Sequence, residues 1–398
     1  MKILLCPLSD GGYLYPVIAA GRELRRRGHR IDLLGRATAA PLAAEAGLPF
    51  APAEEFGGHG AFSAARWGLT GLDQYRAVLR AARQTRADLL VTSALCTGAL
   101  LAAEALDLPV VVIGLSVHLY DYRSGGDGEP HLGRTRASRT EQNELIHASV
   151  REQAGLGARA ARWRHSPLLG DATLLRGDPE LEFPGALLPE PVRYVGPLEW
   201  EPAADPAEVA AVRGRLEERG KPVVYVHLGR NFGGCSLWPR LNEAFVGGRL
   251  QAVVEQGRST DPRPAPDADI VLVRRPWMGP LVDLAGLVLT SGTSAPVLAA
   301  LRRGLPLAVS PNGSEQPLLC GACVRAGVAV RVPNTTATDT AGLLQAAWRD
   351  DGLRERARTL GRRLSAADGA ARAADAIEQA ARASTIPRED HEHAISRP

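Results

Sequence analysis

Leu287-Val288-Leu289 is a short apolar run that leads into Thr290-Ser291-Gly292-Thr293-Ser294 and then into an apolar-periodic segment from Pro296 to Arg303. The order reads as strand, small-residue turn and helix. A second strand, Pro306-Leu307-Ala308-Val309-Ser310, follows, and its end carries Pro311-Asn312-Gly313-Ser314-Glu315-Gln316. A strand feeding a short turn that opens a helix aims free backbone N–H groups and the positive end of the helix dipole at one spot, which suits a phosphate. Glu315 and Gln316 then stand beside that spot, at the next strand's carboxyl end, and the turn before them places both at the surface of a cleft. In an open parallel sheet that edge is where ligands bind, so an anion cradle with a carboxylate and an amide nearby fits a sugar attached to a diphosphate.

The rest of the chain extends the pattern in both directions. Strands are expected at 2–8, 30–34, 88–92 and 110–113, with helices at 16–27, 37–46, 75–84 and 97–106. Pro16 reads as the first residue of its helix, where a missing N–H costs nothing, and Gly28 ends that helix. From Tyr120 to about Gly170 a Gly-rich loop, Ser124-Gly125-Gly126-Asp127-Gly128, precedes a polar helix from Thr140 to Gln153. A loop-bearing insert of that length inside a compact domain points to function rather than to plain linkage. Prolines 189, 191, 197, 202 and 206 make a semi-rigid joint. A second lobe then opens with the strand 222–228, ending in Gly229-Arg230-Asn231-Phe232-Gly233-Gly234, and continues with strands at 250–254, 270–273, 287–289, 307–310 and 328–332. An alanine-rich helix from Leu364 to Ala383 closes the fold, and the polar tail after Ser384 is expected to be disordered. The fold class is α/β, two doubly wound parallel sheets on either side of a proline-rich joint.

Composition narrows the function classes. With 398 residues the chain has length for two or three domains, and 45% hydrophobic and 23% charged residues describe an ordinary globular protein. A net charge of +3 with scattered arginine clusters argues against a nucleic-acid surface. No secretory leader and no apolar run long enough to span a bilayer is read from the sequence. The five cysteines are odd in number and dispersed; only Cys320 and Cys323 share a C-x-x-C spacing, and on one helix face they read as packed small hydrophobes. A reduced, cytoplasmic protein is expected. The histidines lack metal-ligand spacing, those of the tail (His391, His393) included, and neither a phosphate-loop lysine motif nor a dinucleotide G-x-G-x-x-G is present.

Trp277-Met278-Gly279-Pro280, Ser291-Gly292, Ala299-Ala300-Leu301-Arg302-Arg303-Gly304-Leu305-Pro306 and Glu315-Gln316-Pro317 resemble the donor-binding half of GT-B glycosyltransferases. The nearest group is the one that glycosylates microbial natural products. At the front of the chain Lys2-Ile3-Leu4-Leu5-Cys6-Pro7-Leu8, Gly12-Tyr13-Leu14-Tyr15-Pro16 and Glu23-Leu24-Arg25-Arg26-Arg27-Gly28-His29 resemble that family's first strand, acceptor loop and first helix end. Tyr194-Val195-Gly196-Pro197-Leu198 resembles its interdomain joint. The resemblance implies a GT-B fold of two Rossmann-like domains facing across a cleft: an acceptor domain at 1–190, a linker at 191–205, a donor domain at 206–363, a helix at 364–384 that crosses back to brace the first domain, and a tail. It implies a metal-independent, inverting glycosyltransferase with no cofactor, whose partners are a nucleotide-diphosphate sugar and a small natural-product acceptor, without nucleic acid or membrane. The oligomeric state, monomer or homodimer, is left open.

The family's chemistry needs a base for the acceptor's proton, a stabiliser for the departing diphosphate, and contacts that hold the sugar. At the position where the family usually places a histidine base stands Tyr13, whose hydroxyl titrates near pH ~10 and is a poor base at neutral pH. Asp10 and His118 are the candidates to replace it; otherwise Asp10 caps the turn and His118 lines the pocket, where Gly12 and Tyr13 also contact the acceptor. The family's phosphate-contacting histidine falls on Ser291, leaving the hydroxyls of Thr290, Ser291, Thr293 and Ser294, the backbone at Gly292, and Arg230 as a substitute cation or as a surface ion-pair partner. Trp277 matches the base-stacking aromatic or packs in the core, and Glu315 with Gln316 match the pair that binds sugar hydroxyls. Three readings stay open: an active inverting transferase, on an acceptor more acidic or nucleophilic than a sugar hydroxyl (thiol, phenol, amine) or with a relocated base; a silent binding partner; or a GT-B enzyme of another class, an epimerase or a pseudo-glycosyl coupling enzyme.

Overall fold

A computed structural model describes residues 1–53, 64–115, 130–158, 162–163, 165–182, 188–227, 238–256, 263–275, 278–312, 316–335 and 338–385, with backbone alone for 64–70, 130–139, 182 and 384–385. The first lobe runs β1 (Lys2–Leu5), α1 (Gly11–Arg26), β2 (Arg30–Arg36), α2 (Ala40–Glu45), β3 (Phe50–Ala53), α3 (Ala64–Thr85), β4 (Leu89–Ser93), α4 (Thr97–Leu106), β5 (Val110–Gly114), α5 (Pro130–Gln153), β6 (Ala172–Leu175), α6 (Pro179–Glu182) and β7 (Val192–Tyr194). The second runs α7 (Pro206–Arg219), β8 (Val223–His227), α8 (Trp238–Phe245), β9 (Gln251–Glu255), β10 (Ile270–Val273), α9 (Met278–Val282), β11 (Leu287–Thr290), α10 (Ser294–Arg302), β12 (Leu307–Val309), α11 (Gln316–Arg325), β13 (Ala329–Arg331), α12 (Thr340–Arg349), α13 (Asp351–Ala366) and α14 (Gly369–Thr385).

Two parallel sheets result, in the orders β3-β2-β1-β4-β5-β6-β7 and β10-β9-β8-β11-β12-β13. Strand residues alternate between faces, and both faces are apolar because helices cover each. Ile3 and Leu5 enter a core shared with α1 and α14, while Leu4 enters the core under α3 and α4. In the second sheet Tyr225 packs toward α7, α10 and α13, whereas Val224 and Val226 pack toward α8 and α12. The order reverses between β1 and β4 in one sheet and between β8 and β11 in the other, so each has a crevice at its carboxyl edge.

The structure departs from the sequence reading at particular places. Pro16 is not at the start of its helix but inside it, because α1 begins at Gly11, with Asp10 as N-cap. Leu14 N–H donates to the Asp10 carbonyl at 2.8 Å, and Pro16 then has no N–H to return to Gly12. The expected acceptor loop at Gly12 to Pro16 is therefore the first turns of a helix. The closing helix is divided: α13 stops at Ala366, Asp368 Oδ1 accepts from Ala371 N–H at 2.9 Å, and α14 starts at Gly369. A Cβ on Gly369 would meet the Pro197 carbonyl oxygen at 2.0 Å, so only glycine permits this crossing under the joint. Beyond it Ala373, Ala374, Ile377 and Ala381 of α14 pack into the first lobe's core, and Arg27 Nη1 donates to Asp375 at 2.6 Å. The strands β3, β6 and β7, absent from the sequence reading, are three or four residues long, and β3 contains Pro52 at the sheet's edge. The polar helix expected from Thr140 begins earlier, at Pro130.

Cys320 and Cys323 are buried on α11, and burial pushes the Cys320 thiol up to about 11, as fits packing rather than redox chemistry. Among the described residues no helix is long and apolar enough to cross a membrane. His147 on α5 is 4% exposed, and burial pushes its imidazole down to about 4. The unfolded chain binds that proton near pH ~6.5. The stability contributed by the neutral ring is therefore complete above ~6.5 and is lost as pH falls toward ~4, by up to about 3 kcal/mol. Urea denaturation from pH 7 to pH 4 is expected to show this loss, and His147→Leu to flatten it; an unchanged slope would remove His147 as its source.

Candidate active site

The second sheet's carboxyl edge brings three strand ends together. Thr290 on β11 stands in register with His227 on β8 and with Val309 on β12, so the residues that leave these strands converge at the point where strand order reverses. The chain turns there through Gly292, whose φ is +90°, a left-handed conformation that L side chains rarely adopt. Its missing side chain matters too, since a Cβ would meet Val309 Cγ1 at 2.9 Å and the Gln316 carbonyl oxygen at 3.2 Å. Gly292 N–H donates to Thr290 Oγ1 at 3.2 Å, and α10 opens at Ser294 with Thr293 as N-cap. The Thr293 hydroxyl does not cap the helix.

Polar atoms around this turn are buried and have no hydrogen-bond partner among the described residues. They are Ser291 Oγ, Thr293 Oγ1, Ser310 Oγ at the end of β12, Gln316 Nε2 at the start of α11, and His227 Nδ1. Ser291 and Ser310 are each 3% exposed and Gln316 is fully buried. A buried hydroxyl or amide without a partner is destabilising by about 1–3 kcal/mol, so a group of them at one strand edge marks a place where a ligand completes the hydrogen bonding. Gln316 was expected at the cleft surface. It is buried instead because its Oε1 accepts from Asn312 N–H at 2.8 Å and holds the preceding turn, leaving the amide nitrogen unpartnered.

Three further features complete the setting, none of them singled out by the sequence. Arg176, the residue after β6, is 5% exposed and reaches from the first lobe to the second, where its Nη2 donates to Ser294 Oγ at 3.0 Å. Leu115 and Leu181, also of the first lobe, pack into the second lobe's core. Arg240 on α8 lines a small pocket together with His227, Thr290, Ser291, Ser310 and Thr340. Ser310 and His227 could have been found as strand-end positions; Arg240 carried only the signal of a cation on a helix whose neighbours Trp238, Leu241 and Phe245 are core residues. Nearby, Tyr225 donates its hydroxyl to the buried carboxylate of Glu255 at 2.6 Å, and that charge together with burial pushes the phenol up. Burial likewise pushes up Glu201, which accepts from Gly279 N–H at 3.0 Å across the joint.

On the acceptor side, Tyr13 sits in the first turn of α1 and packs against the apolar cluster of Leu4, Cys6 and Leu8. Asp10 follows β1 at the carboxyl edge of the first sheet; its side chain makes no cap hydrogen bond with α1. Gly12 lies between them and has open space where a Cβ would stand. The sequence candidates Thr290, Ser291, Gly292, Thr293, Ser294 and Gln316 are thus brought together by the structure. His118, Arg230, Trp277 and Glu315 lie outside the described residues, as does the tail from 386 onward.

No family model matches the chain. Over 355 residues it is 27% identical to 4'-demethylrebeccamycin synthase of Lentzea aerocolonigenes, a match that spans 79% of this chain and 83% of that protein. It is 26% identical over 180 residues to NDP-glycosyltransferase YjiC of Bacillus subtilis, 43% of this chain and 45% of that one. Among solved structures, the glycotransferase of kitacinnamycin superposes with a TM-score of 0.71 at 20% identity, covering 95% of this chain and 98% of that one. The calicheamicin glycosyltransferase CalG4 gives 0.69 at 21%, with the same coverage. The glycosyltransferase VinC, solved in complex with dTDP, gives 0.68 at 16%, covering 96% and 100%. The two-sheet fold is the GT-B fold, and the relatives and structural neighbours are microbial natural-product glycosyltransferases.

Gly292→Ala is expected to destabilise the protein by at least about 1–2 kcal/mol, from the left-handed backbone alone, before the contact with Val309 is counted. Denaturant midpoints measure it, and a change below about 0.5 kcal/mol would mean that the turn does not need its glycine.

Proposed function

We infer that this chain, a glycosyltransferase of the GT-B fold, moves a sugar with inversion from a nucleotide-diphosphate sugar to a small natural-product acceptor. One observation carries the donor half of that reading: the N-terminus of α10 meets buried hydroxyls of Ser291, Thr293 and Ser310 and the Gln316 amide, all without partners among the described residues. Helix N–H groups and hydroxyl donors suit the diphosphate, and the Gln316 amide suits a sugar hydroxyl. The relatives support the assignment, one being named an NDP-glycosyltransferase and one neighbour holding dTDP.

In this mechanism the acceptor's lone pair forms a bond to the anomeric carbon while the bond from that carbon to the diphosphate oxygen breaks. The electron pair leaves with the nucleoside diphosphate, and the acceptor's proton passes to a base or to water. No metal or cofactor enters this scheme. Asp10, which follows β1 at the carboxyl edge of the first sheet, is the candidate base among the described residues. Tyr13, held against apolar side chains, lines the acceptor pocket.

Calorimetric titration is expected to show nucleoside diphosphate binding tighter than the matching nucleoside, and proton NMR of the glycoside to show inverted anomeric configuration. Retention of configuration would overturn the inverting scheme. Binding of diphosphates without turnover on any acceptor would instead make the chain a binding partner, a reading favoured by the tyrosine in place of the usual base.

The acceptor's chemistry decides how much the base matters. For an alcohol a general base contributes ~10²–10⁴-fold, whereas a thiol, acidic phenol or amine is nearly nucleophilic at neutral pH. With an alcohol acceptor Asp10→Asn or His118→Ala is expected to lower kcat at least ~10²-fold while Tyr13→Phe changes it little. With a thiol or acidic phenol all three are expected to stay within ~3-fold in kcat. Full activity of all three variants on an alcohol would dispose of both branches.

A further inference from the structure

The donor lobe holds a buried cation, Arg240, that has no ion-pair partner among the described residues. Arg240 is 8% exposed, yet its partners are neutral: Nη1 donates to Asn334 Oδ1 at 2.9 Å, and Nε and Nη2 donate to Thr340 Oγ1 at 3.3 and 3.1 Å. Among the described residues no carboxylate lies within ion-pair distance of it. Burial, with no counter-charge opposing it, pulls the guanidinium below its ordinary range. A buried charge normally comes with an opposite charge or neutralises itself, and an arginine does not neutralise itself.

The surroundings say what the missing charge is. Arg240 shares its pocket with Ser291 and Ser310, whose hydroxyls are buried without partners among the described residues, and with His227, whose Nδ1 is too. Ser291 also begins the turn into α10, so the pocket and the helix N-terminus meet at one residue. Guanidinium N–H groups, two hydroxyls and a positive helix end make a donor set for an oxyanion, which a neutral ligand or a cation does not match.

We propose that Arg240 binds the donor's diphosphate and stabilises it as it departs, supplying from α8 the positive charge that an imidazole at position 291 would otherwise give. The proposal rests on the donor reading above and adds a residue and a direction of approach to it. When the bond between the anomeric carbon and the phosphate oxygen breaks, the electron pair stays on that oxygen, and the charge gathering there faces a fixed guanidinium in a water-poor pocket. Asn334 and Thr340 position the fork: Asn334 Nδ2 donates to Asn312 Oδ1 at 3.2 Å, and Asn312 N–H donates to Gln316 Oε1, so the phosphate residue and the sugar-side amide lie on one hydrogen-bonded chain.

The test measures dissociation constants of wild type, Arg240→Met, Arg240→Lys and Ser310→Ala for thymidine with its diphosphate and uridine with its diphosphate, beside the melting temperature of each ligand-free variant. For whichever base binds, Arg240→Met is expected to weaken the diphosphate ~10- to 100-fold and the nucleoside less than ~3-fold, with Arg240→Lys in between. Its ligand-free melting temperature is expected to hold or rise, because an uncompensated buried charge has gone. Ser310→Ala, a change small enough to leave the fold intact, is expected to weaken the diphosphate ~3- to 10-fold and the nucleoside hardly at all. Equal loss for both ligands, or a fall in melting temperature with the diphosphate preference unchanged, would make Arg240 a structural residue and overturn the proposal. A wild-type protein that binds neither diphosphate better than its nucleoside would overturn the donor reading itself.

Discussion

The left-handed turn at Gly292 is the constraint on which the rest of the donor site depends. β11 must deliver the chain to α10 within four residues, close to the Val309 side chain and the Gln316 carbonyl; the first approach is closer than a Cβ allows and the second is tight. Because glycine fills that position, the turn stays tight and α10 points its N-terminus back at the ends of β8 and β12. The orphaned hydroxyls then follow. Ser291 and Thr293 flank a residue with φ +90°, and the Thr293 hydroxyl makes no cap hydrogen bond with its own helix. What in another helix would be an internal cap is here a donor available to a ligand.

A cleft between two lobes serves a transfer reaction only if the lobes keep their relation, and here several unlike contacts hold it. α14 leaves the second lobe and buries alanines in the first, where small side chains let it lie close to α1. Leu115 and Leu181 do the reverse, packing first-lobe side chains into the second core. Exposed ion pairs such as Arg363 with Asp178 and Glu180 add little energy of their own. Arg176 differs from these because it is buried and ends on Ser294, the first residue of α10. The cross-lobe contact and the anion cradle thus share a residue, so a shift of one lobe is felt at the turn.

Much of the architecture was legible because its signals are local and periodic. Apolar strands alternating with amphipathic helices, and a strand-turn-helix with glycine at the turn, need no tertiary information, and ten of the thirteen strands among the described residues were placed near their observed positions; β3, β6 and β7 lay outside that reading. Those three are too short for periodicity to register, and β3 carries a proline at the sheet's edge. The proline at position 16 misled for a physical reason: helix propensity places it at the first turn, but Asp10 and two glycines start the helix five residues earlier. Gln316 misled similarly, because a turn sequence says where a residue stands along the chain and not which backbone N–H its side chain will satisfy. Arg176 and Arg240 were beyond reach, since their significance is a burial without local sequence cause.

That last point bears on how the site acquires its charge. Replacing an imidazole at position 291 by a serine removes a donor aimed at a phosphate and leaves a buried hydroxyl behind, which by itself would weaken both binding and departure of the diphosphate. A cation in the same turn would be repelled by the positive end of α10 at all times, ligand or none. Placing it on α8 avoids much of that penalty, because α8 covers the face of the sheet opposite α10, and Thr340 and Asn334 hold the guanidinium there. The arrangement still costs stability, since the charge is buried and its partners among the described residues are neutral. That cost is relieved when an anion arrives, so part of the affinity for the diphosphate comes from removing a defect of the unliganded state rather than from the new contacts alone.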